Sequence, residues 1–276
     1  MDQAFYIGAV GAHQQLRHLN IQGDNIANVK TQGYKANKAR FINLMYQKDE
    51  RTAGDPQDKG VGTKVMMTGN DFSQGPAAET GRSLDYMIEG RGFFAVKDLA
   101  TDEIRYTRNG AFKMARLLRE TGQAGANGQG VQEYAYFLSD GYGRLVLDQN
   151  EDVIRLVAGK MDGLELDGEG YYILDESGEK VRYYDPKDEN LPIGIFDFQN
   201  YDGMIDLDGT YYSPVEKNGD PEQGSGNLIC RYLESSNMDL AEALTKVIEA
   251  QRAYGLALKV VQTSDEVEST INGLRG

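Results

Sequence analysis

Tryptophan is absent from this chain of 276 residues, cysteine occurs once and histidine twice. A single cysteine, Cys230, excludes an internal disulfide, and the usual burial of free cysteine predicts a small hydrophobe in a strand. His13 and His18 stand five apart, which on a helix turns them to different faces, so they make no two-ligand metal face. Cys230 is far from both, and no zinc site is expected. No apolar run approaches the ~20 residues of a membrane span. The start lacks a charged segment followed by a long apolar one, so no cleavable secretory signal is expected. Positive charge is short: 29 Lys and Arg face 43 Asp and Glu, a net charge of -14. That argues against nonspecific nucleic-acid binding.

Catalytic and ligand-binding motifs are missing too. Gly224-Ser225-Gly226 lacks the spacing of a nucleophile elbow. Gly60 to Lys64 falls short of a phosphate loop, and the glycines of 122–130 do not link a strand to a helix. Asp206-Leu-Asp208-Gly209 resembles a piece of a calcium loop, but Met204 and Val215 stand where its first and last acids belong. Glu165-Leu-Asp167-Gly168 is a similar fragment, and turn chemistry accounts for both. A carboxylate pair for glycoside hydrolysis is not decided by sequence. However, the middle has no tryptophan to stack on a sugar, and its tyrosines are β-formers. The chain reads as a non-enzyme with no cofactor, metal or small-molecule substrate.

What the chain does have is pattern at its ends. Hydrophobic residues make up 40% and charged ones 26%, the balance of a folded protein. The first 45 residues carry +3, residues 229–276 carry -2 and the middle carries -15. Leu240, Leu244, Val247, Gln251, Tyr254, Leu258 and Val261 follow one another at alternating steps of four and three, a heptad seam. Phe5, Ala9, Ala12, Leu16, Leu19 and Ile26 keep the same beat, with Gly23 in the open slot. Amphipathic ends around a dissimilar middle predict termini that meet each other and copies of themselves.

Taken in order, residues 3–27 predict a glycine-weakened helix that orders fully only against partners. Asn25 to Lys35 predicts a helix stop and a fixed joint. Phe41, Leu44, Met45 and Tyr46 predict a short helix, and 47–62 a loop or extended linker. From Thr63, short apolar runs separated by Gly and Asp predict an all-β middle, a partly closed sheet or barrel. Gly122 to Gly130 reads as a mobile glycine-rich loop. Helix is expected again from Glu234, with Ser236 or Asn237 as N-cap. Past Thr263-Ser264 the apolar register shifts to Val267, Ile271 and Leu274.

Four stretches give the chain a specific resemblance to the flagellar basal-body rod and hook protein family, the axial proteins of the bacterial flagellum. Residues 25–35 hold Asn25, Asn28, Thr31, Gly33 and Tyr34. Residues 80–94 hold Leu84, Asp85, Gly90, Gly92, Phe93 and Phe94. Residues 106–112 read Tyr-Thr-Arg-Asn-Gly-Ala-Phe, and residues 234–260 hold Asn237, Gln251, Arg252 and Tyr254. Residues 113–230 match poorly, and the stretch between Phe112 and Gly143 looks like an insertion. The resemblance implies an α+β protein. A discontinuous helical, coiled-coil domain would come from 1–45 and 231–276, an extended linker from 46–80 and an inserted all-β domain from 81–230. It implies a structural rod subunit of the proximal or distal type that self-assembles through its terminal helices into a tubular axial structure transmitting torque. A hook-type axial protein is the alternative, with a cell-wall glycan-acting enzyme behind it. The partners implied are copies of itself, other rod and hook proteins and the type III export apparatus. The place implied is the basal body, reached without a cleaved signal.

Overall fold

A computed structural model describes residues 3–43, 47–48, 58–59, 63–124, 130–157, 165–167, 170–174 and 180–275. The chain divides into two compact units. One comprises residues 1–30, 35–72 and 237–276, and the other 31–34 and 73–236.

The first unit is built from helix α1 (Gln3–Ala27), a strand pair β1 (Asn37–Asn43) with β4 (Thr63–Asn70), a two-residue pair β2 (Gln47–Lys48) with β3 (Asp58–Lys59), and helix α2 (Leu240–Arg275). β1 and β4 are antiparallel, from Asn37 opposite Asn70 to Asn43 opposite Thr63, with an irregularity at Lys38/Ala39. The short helix expected at Phe41 is therefore a strand, since Phe41 pairs across with Val65. Leu44, Met45 and Tyr46 lie outside the described residues. Pairing between distant segments overrides a local helical tendency here, as it commonly does for short apolar runs. Helix α2 starts at Leu240 rather than Glu234, because Tyr232–Glu234 is already committed to a strand. Its N-cap is Asp239, whose Oδ1 accepts the N–H groups of Ala241 (2.8 Å) and Glu242 (3.2 Å). The helix continues past Thr263-Ser264 without a break.

The second unit is a β structure in which all ladders between named strands are antiparallel. Its strands are β5 (Ala77–Glu79), β6 (Tyr86–Glu89), β7 (Phe93–Lys97), β8 (Ile104–Thr107), β9 (Lys113–Ala124), β10 (Gly130–Ser139), β11 (Leu145–Val146), β12 (Arg155–Leu156), β13 (Glu165–Asp167), β14 (Gly170–Leu174), β15 (Lys180–Tyr183), β16 (Ile195–Asp197), β17 (Ile205–Leu207), β18 (Tyr211–Ser213), β19 (Glu222–Gln223), β20 (Asn227–Cys230) and β21 (Tyr232–Glu234). The main sheet runs β12-β10-β11-β7-β8-β18-β17, with β16 and β9 attached to β7 and β10. β13, β14 and β15 form a separate three-stranded sheet. The apolar runs at 86–88, 93–96 and 134–138 supply the core, where Tyr86, Ile88, Phe94, Phe112 and Leu138 are at most 1% exposed. Cys230 lies in β20 as expected, half-buried.

The glycine-rich stretch is not a simple loop. Gly122 and Ala124 end β9 and Gly130 opens β10, and residues 125–129 lie outside the described residues. β9 and β10 pair from Lys113 opposite Ser139 to Thr121 opposite Val131, so the insertion is a long ribbon.

A buried ion pair ties this unit together. Arg108 and Glu234, 3% and 0% exposed, approach to 3.3 Å. Arg108 Nη1 and Nη2 also donate to the carbonyls of Ile88 (3.2 Å) and Gly90 (2.6 Å), and its guanidinium lies over the Phe93 ring. Glu234 Oε1 accepts the Gly75 N–H at 2.7 Å. Four separate segments thus meet on two side chains. Removing one partner leaves a buried charge uncompensated, so Glu234→Ala is expected to cost the β unit about 3–5 kcal/mol in a urea titration. The double change Arg108→Met with Glu234→Leu is expected to cost far less than the sum of the single changes. Additive losses would show that the pair is not coupled.

Candidate assembly surface

Helices α1 and α2 pack along their length, and the pairing is antiparallel. Gly8 faces Ala257, Val260 and Val261, Gly11 faces Ala257, and Gln22 shares a cavity wall with Ala243 and Lys246. The contact is made by small residues. A methyl group on Gly8 would stand 3.1 Å from Val261 Cγ2, and one on Gly11 would stand 4.0 Å from Ala257 Cβ. Ala12 (6%), Ala243 (4%), Ala250 (2%) and Ser264 (9%) are buried.

The row on α2 that turns inward is therefore Ala243, Val247, Ala250, Tyr254, Ala257, Val261 and Ser264, a heptad track at steps of four and three. It shares Val247, Tyr254 and Val261 with the seam read from sequence. The other seam members, Leu240 (44%), Leu244 (47%), Gln251 and Leu258 (38%), lie one position to the side and are exposed. Ile248 (50%) joins this outer stripe. On α1, Phe5, Leu19 and Ile26 are half-buried, Ala12 is buried, and Ala9 and Leu16 are exposed. The first unit thus presents a face of large apolar side chains that its own helix pair does not use.

Two asparagines fix the helices to the strand pair. Asn25 Nδ2 donates to the Asn37 carbonyl (3.0 Å), and Asn25 Oδ1 accepts the Asn37 N–H (2.8 Å). Asn237 Oδ1 accepts the Ala36 N–H (2.9 Å), and Asn237 Nδ2 donates to the Asp71 carbonyl (2.5 Å). Each amide completes a backbone edge as a neighbouring strand would, since it offers one donor and one acceptor. Asn28 Nδ2 donates back to the Asp24 carbonyl (2.9 Å) and closes the end of α1. Gln14 Oε1 accepts the Val65 N–H (2.9 Å), holding α1 on β4.

Between these contacts lies a cavity of about 320 Å³, lined by His18, Asn25, Lys38, Asp71, Glu242 and Lys246 among others. His18 is half-buried, with its ring edge-on to Phe41 at 5.2 Å. Burial lowers its pKa below the ordinary histidine value; Lys246 lowers it further and Glu249 opposes.

Apart from Arg252, the remaining motif residues belong to the β unit and serve its geometry. Gly33 has φ +70, and a Cβ there would stand 2.5 Å from the Asn109 backbone nitrogen. Thr31 accepts the Tyr34 N–H on its carbonyl, and Tyr34 is buried. Asp85 is buried against Arg82 at 3.4 Å, and Leu84 packs on the core. Gly90 supplies its carbonyl to Arg108. Gly92 has φ +125, with Ile195 2.4 Å from where a Cβ would be. Phe93 and Phe94 are fully buried. Arg252 is exposed beside Gln251 on α2. Sequence reasoning missed the inward alanine row and Asn37 as the partner of Asn25. The steps of four and three through Ala243, Ala250 and Ala257 were the available signal for the row.

Two family models match the chain. One, described as the flagellar hook protein FlgE/F/G D1 domain, covers residues 87–150, and the other, the flagellar basal body rod FlgEFG protein C-terminal, covers 231–274. Similar proteins include flagellar basal-body rod protein FlgG of Buchnera aphidicola subsp. Baizongia pistaciae, 28% identical over 283 residues and 97% of each chain. FlgG of Bacillus subtilis is 28% identical over 290 residues, covering 100% of both chains. Flagellar basal-body rod protein FlgF of Caulobacter vibrioides is 27% identical, over 97% of this chain and 95% of its own.

The glycine contacts and asparagine clips can be tested in thermal or urea unfolding of the isolated protein. Gly11→Ala adds ordinary van der Waals contact and helix propensity, and is expected to stabilise by about 0.5–1 kcal/mol. Gly8→Val pushes branched carbons into Val261 and is expected to destabilise by about 1–3 kcal/mol. Asn25→Ala strands the Asn37 N–H and carbonyl, at an expected cost of about 1–3 kcal/mol. If Gly8→Val leaves stability unchanged, the helices do not approach through their small residues.

Proposed function

The chain belongs to the flagellar basal-body rod and hook protein family, and from that premise we propose that it is a structural subunit of the basal-body rod that assembles through the outer faces of its terminal helices. The family is one of structural axial proteins and not of enzymes, and membership implies assembly with other axial components of the basal body. The full-length similarity to proteins named FlgG and FlgF favours rod over hook and over a glycan-acting enzyme.

One observation carries the reading. The apolar stripe Leu240, Leu244, Ile248 and Leu258 is left exposed by a helix pair that closes on smaller residues. Burying one large apolar side chain is worth about 1.5–3 kcal/mol, so such a row favours a partner surface. The last turns of α2 add to it. Val267 (49%), Ile271 (50%) and Leu274 (83%) are exposed there. A surface on one copy that fits a different surface on the next repeats without closing and builds a helical filament. In this reading the partners are first other copies of the chain, then neighbouring rod and hook proteins. In the same reading the subunit reaches them through the flagellar export apparatus.

The test separates folding from assembly. Leu240→Gln, Leu244→Gln and Leu258→Gln together are expected to change monomer stability by less than about 0.5 kcal/mol per site, since the side chains are exposed. The same protein is expected not to form filaments, and cells carrying it are expected not to swim. Deletion of 240–276 is expected to abolish assembly as well. Filament formation by the triple variant, seen by electron microscopy or sedimentation, would overturn the proposal.

A further inference from the structure

The half-buried His18 ring lies where α1, α2 and β1 meet, and the arrangement around it suits a neutral imidazole. Gln22 Nε2 lies 3.4 Å from His18 Nε2, one turn along α1; an amide NH2 only donates, so this contact is a hydrogen bond when that ring nitrogen carries no proton. The Phe41 ring of β1 stands edge-on to it at 5.2 Å. The charged groups around it are mostly engaged elsewhere. From α2, Lys246 is held by Glu242 at 2.7 Å, and Asp239 is spent on the Ala241 and Glu242 N–H groups. From β1, Lys38 is held by Asp71, which follows β4, at 3.1 Å. On α1 itself the nearest charged residues in sequence are Arg17 and Asp24, both exposed. Glu249 of α2 is the acid acting in favour of a protonated ring, against burial and Lys246.

We propose that His18 is a proton-sensitive joint of the helical unit: neutral, it holds α1 on β1 through Phe41 and Gln22 beside the cavity wall of α2, and protonated, it loosens that hold. A proton on Nε2 removes the acceptor that Gln22 uses and sets a second cation beside Lys246 in a partly buried site. A histidine whose midpoint is depressed by folding adds stability that is fully present above the ordinary value near 6.5. That contribution drains away as pH falls through 6.5 towards the folded midpoint, about tenfold in the unfolding equilibrium per pH unit of separation. The inference concerns the folded monomer and does not rest on the rod reading.

His13 is the other histidine of the chain and is exposed, so His13→Gln leaves a single imidazole to observe. In that protein, NMR titration of the ring C–H is expected to give a His18 midpoint below 6.5. Lys246→Gln is expected to move the midpoint upward, because one of the causes holding it down is gone. Urea unfolding followed by helical circular dichroism is expected to show stability lost between pH 7.5 and 5.5 in the parent, and a much flatter profile in His18→Gln. A midpoint at or above 6.5 overturns the proposal. So does an acid loss that persists undiminished in His18→Gln. Should His18→Gln fail to fold, the Lys246→Gln shift decides alone, and no upward shift overturns it.

Discussion

Gly8 leaves α1 without a side chain where Ala257 and Val261 of α2 press in, and the arrangement of the first unit follows from that close approach. Helices that come this near need small residues where the backbones are closest, and Ala12, Ala243, Ala250 and Ser264 are buried there, alternating on α2 with Val247, Tyr254 and Val261. Glycine weakens a helix by about 1 kcal/mol relative to alanine, so the approach has to be recovered through packing. Leu240, Leu244 and Leu258 of the same heptad pattern lie to the side of that row and are exposed.

Polar side chains then do what the helix pair cannot. α1 ends in sequence shortly before β1 begins, and a free strand edge there would leave backbone groups without partners. Asn25 and Asn237 meet that need with two-point amide contacts to Asn37, Ala36 and Asp71. Within the β unit the same task falls to charge. Arg108 and Glu234 collect the carbonyls of Ile88 and Gly90 and the N–H of Gly75. In both units some of the residues that carry the resemblance, Asn25 and Asn237 in one and Arg108 and Glu234 in the other, satisfy backbone groups of neighbouring segments.

This explains how much of the molecule can be read from its sequence. The helix at 3–27 and the strands at 86–88, 93–96 and 134–138 are legible because their patterns are local. The period of α2 is legible as well, but its phase is not. Hydrophobicity picks out the row with the most leucine, while the inward row, one position away, alternates alanine or serine with valine or tyrosine. Glu234 looks like a helix start only if its burial beside Arg108 is unknown. Phe41 becomes a strand residue because Val65, two dozen positions on, pairs with it. The length of the β9–β10 ladder is hidden for the same reason, since Gly122 and Gly130 of a glycine-rich stretch read as loop but stand in its strands. The candidate surface is half legible: its residues stand in the heptad pattern, but which of them face outward depends on the helix spacing.

The last step concerns charge. The middle of the chain carries -15 while its ends are near neutral, so repulsion between copies acts mainly through the β region. Between exposed surfaces that repulsion is screened beyond about 8–10 Å at physiological salt. Contact between apolar stripes acts only at touching distance and does not fade with salt in that way. Contact between β regions would bring like charges together, a cost that contact between the near-neutral helices does not itself carry. The exposed leucines and the distribution of the acids thus support the assembly proposed above on separate grounds, one a matter of packing and the other of electrostatics.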